Sequence, residues 1–423
     1  MEFNDKDSFV GSVFMMDAKE VRVVMRYIEE KMTTNEFWGD LLLVYLILKP
    51  FYIFASGSLQ PADFFLMLCF GLLLVTRKTG FIKYPIPSGI WKILRWSVLF
   101  AFYQIFINLI WYLILENTNA GNKNYGLYLS CFFILFNLFS VFSCIMIYER
   151  IGPLLFQKLI KGFLISATIV AFFSIIQNAS SSIRAVAGFN NPNQLGYYAI
   201  LLLTSCFLFG GYIRSPYKQI LFSLSVYLNV ISLSKASVLS SAILILYVIL
   251  FQKYFNVHIS KKMTVFLVIF ILFILYSFFF GDLSFFNNDT LSALRERILN
   301  IRSEGDSNLG SGRGYTRIFE MGSHLLWGMG EGAYYRFQSL TGLEAHSSFV
   351  TVFVSYGLVG FLIWMRLLIA MVYSGIRRNL FTVGIFIGVA AYWVTHNGLR
   401  NTVLWIIIAS YMIMNHSGEK EGT

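Results

Sequence analysis

Charge is what this sequence has least of. Asp, Glu, Lys and Arg make up 13% of its 423 residues, while 57% are hydrophobic. Soluble domains carry roughly 25% charged residues, and a soluble fold this apolar would expose large greasy patches and aggregate. A water-soluble globular enzyme is therefore excluded, and lipid is the remaining solvent. Cysteine is almost missing as well. Cys69, Cys131, Cys144 and Cys206 all lie in apolar runs and show no metal-ligand spacing. Cys131 and Cys144 share one predicted helix, about 20 Å apart at 1.5 Å per residue, too far for a disulfide. All four read as inert buried thiols. No zinc finger, basic helix or aromatic RNA-binding pattern accompanies the net charge of +11, so that charge does not imply nucleic acid. Residues 1–36 are polar, and no short apolar stretch in them precedes a small-residue cleavage site, so no cleavable signal is expected.

What is present is a series of apolar runs, 43 phenylalanines and a mean hydropathy of +0.65. A spanning helix needs about 20 apolar residues. Runs near 38–56, 61–76, 91–115, 125–148, 160–178, 194–213, 218–233, 236–252, 263–281, 347–372, 380–396 and 402–415 predict an all-α polytopic membrane protein of about twelve transmembrane helices. The seventh and eighth runs are short and merge through Ser234 and Lys235, so one long helix there is the competing reading. Basic residues set the orientation. With the N-terminus inside, the short outer segments hold only Lys49, Lys123, Arg184, Lys235 and Arg400, and six more lie in the long loop 282–345. The remaining 22 of the 33 basic residues, Arg77, Lys78, Lys261, Lys262, Arg377 and Arg378 among them, are then on the inner side.

This organisation predicts a cytoplasmic segment 1–36, helices one to nine over 37–281, a large outer loop 282–345, helices ten to twelve over 346–415 and a cytoplasmic tail 416–423. Val21, Val24, Met25 and Ile28 line one side of an interfacial helix before the first span. In the loop, Leu291, Leu294, Ile298 and Ile301 repeat at helical spacing beside Arg295, Arg297 and Arg302. A second loop helix is expected from Arg313 to about His324, followed by a flexible turn at Trp327–Gly332. Gly384 and Gly388 form a small-xxx-small pair that suits helix packing.

Ionisable groups at membrane depth are costly, so each is a functional candidate. On the outer side they are mostly cations: Arg184, Lys235, Arg313, Arg317, Arg336 and Arg400, with His346 and His396 at outer helix ends. An arginine fork matches phosphate oxygens. Arg313 and Arg317, four apart, share a face if their segment is helical and could clamp a diphosphate; a solvated or headgroup-binding pair is the other reading. His346 lies where the loop meets a span, among Ala345, Ser347 and Ser348, and could take a proton near neutral pH or simply cap the helix. Gly328-Met-Gly-Glu-Gly332 follows no strand of a βαβ unit, so it is not a nucleotide loop. No paired carboxylates suited to a metal stand out in the outer loops, so no metal is expected.

Three segments carry a resemblance. Arg184-Ala-Val-Ala-Gly-Phe-Asn-Asn-Pro-Asn193 enters a helix; Ser311-Gly-Arg313 precedes Gly328-Met-Gly330; and His346-Ser-Ser-Phe precedes Tyr356-Gly-Leu-Val-Gly360. In this order they resemble the O-antigen ligase and polymerase superfamily. Two positions depart from its pattern: Ser234-Lys235-Ala236 stands where Ser-Arg-Gly is usual, and Ser347 where Asn is usual. The resemblance implies a GT-C-like, metal-independent glycosyltransferase without a cofactor, at the outer face of the bacterial inner membrane. The donor and acceptor would be glycans on undecaprenyl diphosphate. It points to His346 as catalytic base and to Arg184, Arg313 and Arg317 as diphosphate ligands, with Lys235 as a weaker one. Asn193, Arg336, His396 and Arg400 would line the site. Polymerisation of surface-polysaccharide repeat units, with a chain-length regulator protein as a further partner, is the first expectation. Ligation of finished glycan to lipid A core is the second, and transport is a third of another class.

Overall fold

A computed structural model describes residues 36–54, 60–77, 88–116, 125–179, 185–251, 314–333, 345–378 and 380–417. Those residues are all-helical, with no strand among them. In chain order the helices are α1 (36–48), α2 (Pro61–Arg77), α3 (Ser88–Glu116), α4 (Tyr125–Ile151), α5 (Leu154–Ala179), α6 (Pro192–Phe209), α7 (Ser215–Ile231) and α8 (Lys235–Leu250). After two 3-10 turns, Tyr315–Glu320 and Gly322–Leu325, come α9 (Ser348–Arg378), α10 (Leu380–Val383), α11 (Ile387–Thr395) and α12 (Thr402–Ser417). The ninth expected span, 263–281, the segment 1–35 and the loop helix around Leu291–Ile301 lie outside the described residues.

Among the described residues, five helical stretches are long and apolar enough to cross a membrane: Gly89–Ile114, Ser130–Ile151, Leu154–Gln177, Pro192–Tyr212 and Ser348–Gly375. Their flanks and those of neighbouring helices expose large apolar side chains, among them Val75, Phe102, Phe172 and Leu250. Such surfaces are stable only against lipid, so the protein is membrane-embedded. Lipid tails are as apolar as leucine, so close packing rather than hydrophobicity holds the helices together. The central helix is α6, whose residues from Leu195 to Phe209 are all buried. Small residues permit that closeness. A Cβ on Gly196 would lie 2.4 Å from Ser237 Oγ, and one on Gly162 3.1 Å from Leu46. Gly384 faces the Tyr247 ring and Gly388 faces Leu244 and the Ser240 carbonyl, the packing role expected of that pair.

The seventh and eighth expected spans are separate helices. The chain reverses through Ser232–Ser234, with Leu233 at φ 50°, and Asn229 on α7 hydrogen-bonds Ser241 on α8 across the turn. The first span is shorter than 38–56, because the helix ends at residue 48 and Pro50 follows. The largest departure is in α9. Gly357 has φ 64° and ψ −171°, which interrupts a helix expected to be continuous over 347–372.

Contacts between antiparallel helices show which connections share an end of the bundle. Antiparallel registers locate that end. Trp111 meets Gly328, Phe100 meets Tyr356 and Arg366 meets Trp96, so the end of α3 meets the start of α9. The α1 end meets the α12 start through Tyr45 and Thr402. At the opposite end, Lys158 on α5 pairs with Asp40 and Glu36 at the start of α1.

Candidate functional site

The segment between Leu326 and Gly332 is not a flexible turn. It is a strap, buried from Gly328 to Gly332, laid across the break in α9. A helix interrupted at Gly357 frees carbonyls, and in a membrane interior freed groups need partners. The strap supplies them: Met329 N–H donates to the Val354 carbonyl and Gly330 N–H to the Ser355 carbonyl, both at 2.9 Å, while Val359 N–H donates to the Leu326 carbonyl at 3.2 Å. The backbones meet where neither chain has a side chain. A Cβ on Gly328 would lie 2.4 Å from the Ser355 carbonyl oxygen, and one on Gly357 2.4 Å from that of Leu326. From the far side α3 holds the strap, with the Trp111 indole N–H donating to the Gly328 carbonyl at 3.2 Å and Asn108 Oδ1 accepting from Glu331 N–H at 2.9 Å.

The strap carries Glu331 into the bundle. Its Oε1 accepts from the fully buried Tyr356 hydroxyl at 2.8 Å, and its Oε2 pairs with Arg400 Nη2 at 2.8 Å. Arg400 lies on the turn joining α11 to α12. The same turn is tied to the start of α9, since Ser348 Oγ donates to the His396 carbonyl and accepts from Gly398 N–H, both at 3.1 Å. Asn137 Nδ2 donates to the Leu399 carbonyl at 3.1 Å.

These ties bring two histidines together. The His346 and His396 rings are 6.5 Å apart at 20°. Behind them the stack continues, with Tyr392 4.8 Å from His396 and Tyr197 4.6 Å from Tyr392. His346 is exposed and His396 half-buried, so the outermost ring of the stack is the imidazole expected to act as base. Trp393 and Tyr197 close the inner side through an indole-to-hydroxyl hydrogen bond of 3.2 Å.

Other expected residues converge on this end. Asn191 caps α6 by accepting from Asn193 N–H at 2.7 Å, with Pro192 in the first turn, an arrangement that suits a residue lacking a donor. The Asn193 carbonyl accepts from the Tyr392 hydroxyl at 3.0 Å. Lys235 is the first residue of α8. Gly384 lies against Tyr247 and Gly388 against Leu244 and Ser240, so α8 and α11 run antiparallel and Lys235 starts at the end of the bundle where α11 finishes. Arg317 rides on the turn whose Tyr315 hydroxyl donates to the Val394 carbonyl. That turn is 3-10 and begins after Gly314 at φ 74°, so the expected α-helix from Arg313 to His324 does not form. Arg184, Arg313 and Arg336 lie outside the described residues.

A second polar cluster occupies the same end. Lys49 and Asp63 form a buried ion pair, their side chains 8% and 4% exposed. Asp63 Oδ2 also accepts from Gln60 N–H at 3.0 Å, and Gln60 Oε1 accepts from the N–H groups of Ile53 and Phe54. The glycine-aromatic motif docks here. Gly188, at φ 100°, accepts from Tyr52 N–H at 2.9 Å, and Gln177 Oε1 accepts from Ala187 N–H at 2.7 Å.

Among the described residues no three His, Cys, Asp or Glu side chains group as a metal site, and the four cysteines are free. Sequence reasoning missed Glu331, Tyr356 and Asn108. A carboxylate set between glycines beside apolar segments was the available signal, since a buried acid requires a cation. No protein-family model matches the chain, and no curated protein matches it.

Proposed function

We propose that this protein is a GT-C-type glycosyltransferase that polymerises surface-polysaccharide repeat units carried on undecaprenyl diphosphate. In this reading it crosses the bacterial inner membrane about twelve times, with both ends cytoplasmic and the His346 end outward. The carrying observation is the pair of stacked imidazoles, the outer one exposed, at the bundle end that also holds Lys235, Arg317 and Arg400. A sugar hydroxyl is a poor nucleophile at neutral pH. His346 takes its proton as the oxygen attacks the anomeric carbon, a contribution of about 10²–10⁴-fold. Negative charge develops on the bridging oxygen of the departing diphosphate, and positioned cations stabilise it. Arg317 serves that role with Lys235 as a weaker partner, and Arg184 and Arg313 are proposed beside them from the sequence pattern. Arg400 acts indirectly, being engaged with Glu331.

Ligation of a finished glycan to lipid A core uses the same chemistry at the anomeric carbon. Transport has one observation in its favour, the broken α9, because transporters use discontinuous helices. Here, however, two of the carbonyls at the break accept from the strap. The test is a chromosomal His346→Ala strain. Loss of polymer at normal membrane abundance, with a single repeat left on the core, is expected, and His324→Ala should keep polymer. A core without any repeat would point to ligation, and repeats trapped on undecaprenyl diphosphate inside the cell to transport. Wild-type polymer would sink the reading.

A further inference from the structure

We infer that Glu331 is the positioning residue of this end of the bundle: by holding Arg400 it fixes the turn that sets His396 against His346. Its consequence for catalysis rests on the function proposed above; the geometric claim does not.

The turn 396–401 connects two helices, and Ser348, Asn137 and the Trp405 indole all hydrogen-bond to it. Its ties to Ser348, Asn397 and Asn137 are between neutral groups. The Glu331–Arg400 contact is charged at both ends, and such bonds are roughly twice as strong as neutral ones. Its setting adds to that. The Glu331 side chain is 10% exposed and that of Arg400 35%, so water screens the guanidinium end more than the carboxylate end. The carboxylate is itself immobilised from three sides. Tyr356 holds one oxygen, Asn108 holds the backbone N–H, and the flanking strap is bonded into the break at Gly357. A rigid anion therefore reaches across to a cation on a turn otherwise held by neutral hydrogen bonds.

The same strap joins the two parts of the site. Met329 and Ala333 share a small core with Met321, Ala345, Val350 and Val354, which seats the Arg317-bearing turn beside the His346 end of α9. Glu331 is therefore the point where the loop residues, the broken helix and the His396 turn are joined. Arg400, expected to line the site, becomes the receiving half of that joint.

The test uses the full-length protein in membranes, with Cys69, Cys131, Cys144 and Cys206 replaced by Ser and with His346→Cys and His396→Cys as reporters. A short bis-methanethiosulfonate reagent measures their cross-linking rate. Glu331→Gln keeps the shape and an acceptor for Tyr356 but removes the charge. It should slow cross-linking about tenfold, the factor that ~1.4 kcal/mol of lost coupling gives. Arg400→Gln should slow it equally, the double substitution no further, and Glu331→Asp less than either. If one variant fails to reach the membrane, the other reads the same link from its partner. An unchanged rate in a normally abundant Glu331→Gln or Arg400→Gln protein overturns the inference. So does slowing in Glu331→Ala without slowing in Glu331→Gln, which would make the effect one of packing. In a parallel set with both histidines intact, slowed positioning should accompany loss of polymer. Slowed cross-linking with polymer retained would leave the positioning role standing and refute the glycosyltransferase site.

Discussion

Two buried acid–base pairs lie at the same end of this bundle, and they differ in what surrounds them. Lys49 and Asp63 are 14 residues apart, join consecutive helices and are almost sealed, at 8% and 4% side-chain exposure. Glu331 and Arg400 are 69 residues apart, join a strap to a distant turn and leave the arginine 35% exposed. The first pair is ringed by backbone N–H groups and amides. The second ends on the turn that also carries His396. A buried ion pair is by itself weak evidence for stability or for function. Its partners and its opening distinguish the pair that staples a helical hairpin from the pair that aims a site.

The largest expected effect tests the sealed pair. Asp63→Ala leaves the Lys49 ammonium buried without its carboxylate, which should cost about 3–5 kcal/mol. A detergent-solubilised melt followed by fluorescence size exclusion should show it, as should reduced membrane abundance. Replacing both residues together, Lys49→Met with Asp63→Leu, should restore most of the loss. If the double variant melts as low as the single, the pair is more than a staple.

Gly357→Ala should come next. The ψ −171°, φ 64° conformation is open essentially only to glycine and costs about 1–3 kcal/mol for other residues. The added methyl would also press on the Leu326 carbonyl oxygen, 2.4 Å away. The strap should undock, so limited proteolysis between positions 326 and 333 should accelerate. Protection equal to the parent protein would contradict the strap's dependence on the break.

Tyr356→Phe is smaller. It removes one hydrogen bond to a buried carboxylate, about 1.5–3 kcal/mol at a charged acceptor, while leaving Arg400 in place. Thermal shift should register the loss, and His346–His396 cross-linking should change less than with Glu331→Gln. The smallest effect is expected at the opposite end. Lys158 bonds Asp40 at 2.6 Å, but Asp40 and Glu36 are 53% and 46% exposed, so Lys158→Ala should cost about 0–1 kcal/mol. A melting loss as large as that of Asp63→Ala would erase the distinction between sealed and open pairs.

Much of the fold was legible because hydropathy is a local property. Most of the apolar runs fall on described helices, and the small residues at Gly384 and Gly388 pack as their spacing suggested. Ser234 and Lys235 were read as the link between two short spans, and the chain reverses just before Lys235, which opens the second helix. Of the site, His346 and His396 were named from their positions at helix ends, and their rings lie within 6.5 Å. The segment after Arg313 was misread because apolar spacing alone does not separate an α-helix from two 3-10 turns split at Gly322, whose φ is 53°.

By itself, then, the sequence determined the solvent and the helical class. Those follow from transfer free energies that each residue carries wherever it lies. Only the tertiary structure decided the break at Gly357, the strap that fills it and the role of Glu331. Each depends on groups far apart in the chain exchanging hydrogen bonds and charge. A glycine in an apolar run is compatible with either an intact or a broken helix. The donors of Met329 and Gly330 arrive to satisfy the Val354 and Ser355 carbonyls, and that makes the broken form affordable. The carboxylate between Tyr356 and Arg400 is likewise tolerable in the interior only because its two partners converge on it there.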